Sequence, residues 1–181
     1  MSTAPSQLKK QNREEQQDDD LLLLEHQLCF ALTVASRSVV GAYKPVLEKL
    51  GLTHPQYLVM LCLWESSPRT VRNISDALAQ EPATISPLLR RLEAAGFLTR
   101  HRMDGNERAL AVDLTPAGAR LREQALAVPG TMMERLGLTR EQVGQLHASM
   151  MGLIAATSGA TSAGSSEETG AGTSERPQIR Q

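Results

Sequence analysis

A chain of 181 residues that is 41% hydrophobic holds one packed core with length to spare. With 3% aromatic residues, a net charge of −1 and two cysteines, it is not an aromatic-rich β-sandwich, a globally basic nucleic-acid binder, a disulfide scaffold or a multi-cysteine zinc module. No apolar run reaches the roughly 18 residues of a membrane span and residues 1–20 hold no apolar signal region, so a reducing cytoplasm is the expected compartment.

Residues 1–20 carry three basic and five acidic side chains, and residues 158–181 carry two and three, which leaves 21–157 at +2. Both ends are polar, and 158–181 is rich in Gly, Ser, Thr and Ala. Neither end buries enough surface to offset the entropy of ordering, so both read as disordered tails. Asp20 is placed to cap a helix running to about Leu50, with Gly41 as a candidate break. Its apolar residues (Leu21, Leu24, Leu28, Ala31, Leu32, Ala35, Val39) cover several sides, which predicts packing on more than one partner. Thr53 and Pro55 open a second helix through Tyr57, Leu58, Leu61 and Trp64, ending before Pro68.

The spacing then predicts a helix over 71–79 with Ile74, Ala77 and Leu78 inward. Another follows, with Ile85, Leu88, Leu89 and Leu92 at i, i+3, i+4 and i+7, and Gly96 as its stop. Pro87 leaves its start open between Pro82 and Ser86. Residues 97–102 and 108–114 read as strands joined at Asp104-Gly105-Asn106, with Leu110, Val112 and Leu114 facing inward. Thr115-Pro116 opens a long helix. Thr139 opens the last one, with a Gln142 capping box, a Leu138–Val143 staple and an apolar stripe through Leu146, Met150 and Leu153. The fold class is mainly α with a small β-hairpin wing: a winged helix-turn-helix embedded between long helices.

That order points to DNA. On the helix of 82–95, Ile85 and Leu89 face inward, whereas Ala83, Ser86, Pro87 and Arg90 point the other way. Small residues in the first turns let a backbone approach base edges in the major groove. Thr84, Ser86, Pro87, Arg90 and Arg91 are the candidate contacts there. Arg100, Arg102 and Arg108 lie on the hairpin, and an arginine at a wing tip suits a narrow minor groove.

The stretch ISDALAQEPATISPLLRRLEAAGFLTRHRMDGNERALAVDLTPAG resembles the winged helix of the MarR family of bacterial regulators. HQLCFAL, SRSVVGAYKPVLEKLGLTHPQYLVMLCLWE and ALAVPGT resemble the organic-hydroperoxide-sensing repressors of that family, and the likeness spans roughly 25–157. The resemblance implies a homodimer with dimerisation helices in 21–67 and 115–157 and a DNA-binding unit over 70–113. It implies an inverted-repeat operator that is bound in the reduced state and released on oxidation of one cysteine, which corresponds to Cys29. A tyrosine matching Tyr43 hydrogen-bonds the reactive sulfur from the other subunit in that family, and Thr33, His54 and Tyr57 fall in the same pocket. Thr33 and His54 stand where the family usually has tyrosines, and Asn106 stands where it has an aspartate near the wing arginine. No cysteine follows the wing, so the one-cysteine kind is implied, in which a low-molecular-weight thiol reacts with the oxidised sulfur.

The chemistry of Cys29 runs beside that resemblance. A helix starting near Leu21 puts Cys29 about nine residues in, where the helix dipole is weak, so activation falls to donors such as the Thr33 hydroxyl. Tyr43 is 14 residues on, about 21 Å along one helix, so only an antiparallel copy brings it to Cys29. Leu24, Leu28, Phe30 and Leu32 suit an apolar hydroperoxide better than hydrogen peroxide. Cys62, between Leu61 and Leu63, reads as core. His26, His54, His101 and His147 have no metal-ligand spacing, and no cofactor motif is present. A thiol peroxidase using Cys29 would lack a resolving cysteine and leave the winged helix unexplained, so no enzyme is expected. The alternative is a repressor relieved by a non-covalent small molecule, with Cys29 passive.

Overall fold

The computed structural model describes residues 21–103 and 106–164, with the side chains at 103, 106–109 and 159–164 outside that description. The expected N-terminal tail, the Asp20 cap, residues 104–105 of the expected turn and residues 165–181 lie outside the described residues. No described helix is long and apolar enough to cross a membrane.

Helix α1 spans Leu28–Leu47, so it starts seven residues later than the periodicity suggests. Gln27 causes the delay. Its backbone is extended, it is the N-cap, and its side-chain amide donates to the Leu21 and Leu23 carbonyls around a single 3₁₀ turn at Leu24–His26. The helix passes Gly41 unbroken and ends through a 3₁₀ turn at Glu48–Leu50 and a left-handed Gly51 at φ 68°. Helix α2, His54–Glu65, opens with Gln56 Oε1 accepting the Thr53 N–H at 2.8 Å.

A two-residue strand β1, Arg69–Thr70, follows the cis Ser67-Pro68 peptide and was not legible in the sequence. Helix α3, Val71–Ala77, is capped by Thr70, whose hydroxyl accepts the Asn73 N–H at 3.1 Å. It ends early, at Ala77, ahead of an Ala79 at φ 49°; Ser75 is buried beside Ile74 and Ala77 is exposed, against expectation. Helix α4 covers Pro82–Ala94, which settles its start at Pro82, and Gly96 at φ 78° stops it.

Strands β2, Leu98–Met103, and β3, Asn106–Leu114, complete an antiparallel sheet of order β1-β3-β2. Val112 and Ala111 pair with β1 and are buried. Leu110 pairs only with Arg102, beyond the end of β1, and is 43% exposed rather than inward. Thr115 accepts the Gly118 N–H at 3.0 Å and opens α5, Pro116–Ala125. The expected long helix is two: Pro129 has no N–H for the Ala125 carbonyl, and α6 restarts over Val128–Leu136. The core joins Leu47 of α1, Met60 of α2, Ile74 of α3, Leu89 of α4 and Val112 of β3, all fully buried.

Residues 137–164 form a separate unit. Its helix α7, Arg140–Gly164, has the expected capping box, with the Thr139 N–H on Gln142 Oε1 at 2.8 Å and the Gln142 N–H on Thr139 Oγ1 at 3.2 Å. It takes in residues 158–164, which were expected to belong to the tail.

Candidate nucleic-acid interface and thiol site

Helix α4 is set by three side chains, Ile85, Leu89 and Leu92, each at most 1% exposed. Its other side presents Thr84, Arg90 and Arg91 exposed and Ser86 and Pro87 half-buried. The Ser86 hydroxyl donates to the Pro82 carbonyl at 2.7 Å, one turn back, so in the free protein it is used within the helix. Arg102 on β2 is exposed. Asn106 and Arg108 lie on β3, and their side chains lie outside the described residues.

Arg100, on the hairpin, is taken up by α4. Its Nε donates to Glu93 Oε2 at 2.9 Å, and its backbone N–H donates to Glu93 Oε1 at 3.1 Å. That hydrogen bonding, reinforced by the guanidinium charge against a burial cost, holds the Glu93 carboxyl below the usual carboxylate range. The pair ties α4 to the wing. Arg69 is likewise occupied, donating to Glu65 at 2.8 Å and to the Ser66 carbonyl at 3.1 Å. Arg90, Arg91 and Arg102 make no ion pair with a described residue, which leaves their charge for a phosphate or a base edge.

Cys29 is the second residue of α1 and its side chain is exposed. This replaces the expected mid-helix position with the first turn, where the helix dipole favours negative charge. The Thr33 hydroxyl donates to the Cys29 carbonyl oxygen at 2.8 Å, the usual use of a helical threonine, and not to the sulfur. Leu24, Leu28 and Phe30 nearby in sequence are exposed and Leu32 is half-buried. Cys62 is in the core, and burial pushes its thiol up, keeping it protonated. Among the described residues no group of three His, Cys, Asp or Glu could hold a metal ion.

Tyr43, His54 and Tyr57 come together. The Tyr43 ring lies 5.2 Å from His54, edge-on, and 6.1 Å from Tyr57. Burial raises both tyrosines, with Tyr43 adding to the shift of Tyr57, and lowers His54, so all three favour their uncharged forms near neutral pH. Cys29 and Thr33 are not in this group: α1 is continuous, and Cys29 is about 21 Å along it from Tyr43. Trp64, which sequence reasoning left out, extends the cluster. Its ring is 6.3 Å from Tyr57, and its indole N–H donates to the Gly118 carbonyl at 2.9 Å. The i, i+7 spacing of Tyr57 and Trp64 was the available signal.

Comparison with known proteins adds three findings. The sequence profile of the MarR family matches residues 52–110. The organic hydroperoxide resistance transcriptional regulator of Bacillus subtilis (strain 168) is 40% identical over 131 residues, 72% of this chain and 89% of that protein. Two solved structures of AbfR bound to DNA, one reduced and one overoxidized, align with a TM-score of 0.63 at 28% identity, over 80% of this chain and 98% of theirs; AbfR comes from Staphylococcus epidermidis.

Proposed function

The chain belongs to the MarR family of transcriptional regulators, and from that premise we propose that it is a homodimeric, DNA-binding repressor that senses organic hydroperoxides through Cys29 and then releases its operator. The observation that carries this reading is an exposed thiol in the first turn of a helix whose apolar side chains are largely uncovered in one copy. A sensor cysteine must be reachable by peroxide, and this exposed position meets that need. The B. subtilis relative is named for organic hydroperoxide resistance, and AbfR is solved on DNA in two oxidation states, which supports the same reading.

The thiolate sulfur attacks one peroxide oxygen. The O–O bond breaks, the alkoxide takes a proton and leaves as the alcohol, and the sulfur, oxidised by two electrons, becomes a sulfenic acid. A low-molecular-weight thiol then displaces hydroxide, which leaves as water, and forms a mixed disulfide. Each protein molecule reacts once, so this is sensing and not catalysis. Tyr43 of one copy reaches the partner's Cys29 only if two α1 helices run antiparallel, and the exposed α1 side chains give such a pairing its apolar area. In this reading Thr84, Ser86, Pro87, Arg90 and Arg91 enter the major groove, and Arg102, Asn106 and Arg108 serve the wing at the minor groove. His54 and Tyr57 hold Tyr43 in place.

The test is fluorescence anisotropy of a labelled duplex from the protein's own promoter. It compares reduced protein with protein given about one equivalent of cumene hydroperoxide and a small thiol. Wild type is expected to release the duplex, and Cys29→Ser is expected to hold it. If both release or both hold, Cys29 is a bystander, and relief by a non-covalent ligand becomes the reading to pursue.

A further inference from the structure

Tyr57 and Trp64 stand seven residues apart on α2 and share one face of it. With Tyr43 they form a run of rings, 6.1 Å and then 6.3 Å between centres. The run ends on a hydrogen bond, the Trp64 indole N–H to the Gly118 carbonyl at 2.9 Å. Gly118 is wedged in the first turn of α5, where an added Cβ would sit 1.9 Å from the Phe97 carbonyl oxygen. That same oxygen accepts the Thr115 N–H at 3.1 Å, and Phe97 leads directly into β2 of the wing. Beside the rings there is room. Tyr57, Leu61 and Trp64 border an open cleft of about 290 Å³, faced by Arg122, Leu126 and Pro129.

We propose that Trp64 is a positioning residue that couples the thiol site to the wing. When Cys29 of the partner subunit is modified, Tyr43 is displaced, Tyr57 and Trp64 shift into the cleft, and the Gly118–Phe97 contact at the base of β2 moves with them. This rests on the sensing reading given above. The ring run supplies a contiguous packed path, and the close seat of Gly118 against Phe97, which leaves no room even for a Cβ, lets a small shift at Trp64 register at the wing.

Trp64 is the only tryptophan in the chain, so its emission reports on this path alone. Full-length protein is treated with cumene hydroperoxide and cysteine, and three quantities are followed: the mass of the Cys29 peptide, Trp64 emission and duplex binding. In wild type, the mass gain, a change in Trp64 emission and duplex release are expected to proceed together. Trp64→Phe keeps a ring and removes the N–H. It is expected to bind the duplex when reduced within about threefold of wild type and to gain mass on Cys29 at the same rate. Its affinity should then fall at least about tenfold less on modification than that of wild type. Full release by Trp64→Phe with Cys29 fully modified overturns the coupling role. If Trp64→Phe fails to bind even when reduced, wild-type emission decides: a change that tracks Cys29 modification supports the path, and no change overturns it. Absence of any mass gain on Cys29 overturns the sensing reading, and the coupling with it.

Discussion

Helices α4 and α1 differ in what covers them. The apolar positions of α4 are closed off within one copy: Ile85, Leu89 and Leu92 are at most 1% exposed. In α1, Leu28, Phe30, Val34, Val39 and Val40 remain 37% to 60% exposed, although α1 is the longer and more apolar helix. Local burial therefore fixes the shape of α4, while the arrangement around Cys29 depends on whatever covers α1. A chemical change at Cys29 therefore need not break the core that holds α4.

The contrast is sharpest at the core. Leu89→Ala removes a fully buried side chain from α4 and is expected to cost about 2–5 kcal/mol of unfolding free energy in urea, with duplex binding lost in proportion. A cost below about 1 kcal/mol would mean that α4 is not held by its own core and would break the comparison. The next effect lies in α1. Val34→Glu with Val39→Glu is expected to raise the dimer dissociation constant by about a hundredfold or more, roughly 2.7 kcal/mol, as read by sedimentation velocity. Far-UV circular dichroism should stay near wild type, because neither side chain supports the core of one copy. An unchanged dimer would show that another surface joins the copies.

Most of what the sequence disclosed was local. The Ile85–Leu89–Leu92 frame, Gly96, the Thr115 cap and the Thr139–Gln142 box depend on residues within a turn or two, and each is present. Features fixed by competing or distant partners were not legible. The leucine run at 21–24 fits a helix as well as it fits a turn, and the Gln27 side chain decides between them. Strand β1 is two residues that owe their conformation to β3. Leu110 alternates with Val112 yet stays exposed because β1 stops one pair short of it. At the site, the grouping of Tyr43, His54 and Tyr57 was legible by resemblance, but the use of the Thr33 hydroxyl was not. A donor one turn from a sulfur is also one turn from a carbonyl, and the carbonyl takes it.

The smallest expected effect concerns the join between α4 and the wing. Arg100 holds the pKa of Glu93 below its ordinary value, so the folded state favours the charged carboxylate. Its contribution is therefore complete above the unfolded value of about 4.3 and is lost as pH falls through the lower folded value. Both side chains are partly solvated, at 25% and 34% exposure, so solvent screening holds the contribution to about 1 kcal/mol or less. Glu93→Gln keeps an acceptor of the same shape and removes the charge. At pH 7 its melting temperature is expected to fall slightly below that of wild type, and the gap should close as pH falls through the lowered value of Glu93 and the wild-type carboxyl is protonated as well. A gap that persists there would assign the contact to shape and hydrogen bonding instead of charge. In that case α4 and the wing would be joined by packing and uncharged hydrogen bonding, and titration would not loosen the wing from the helix beside it.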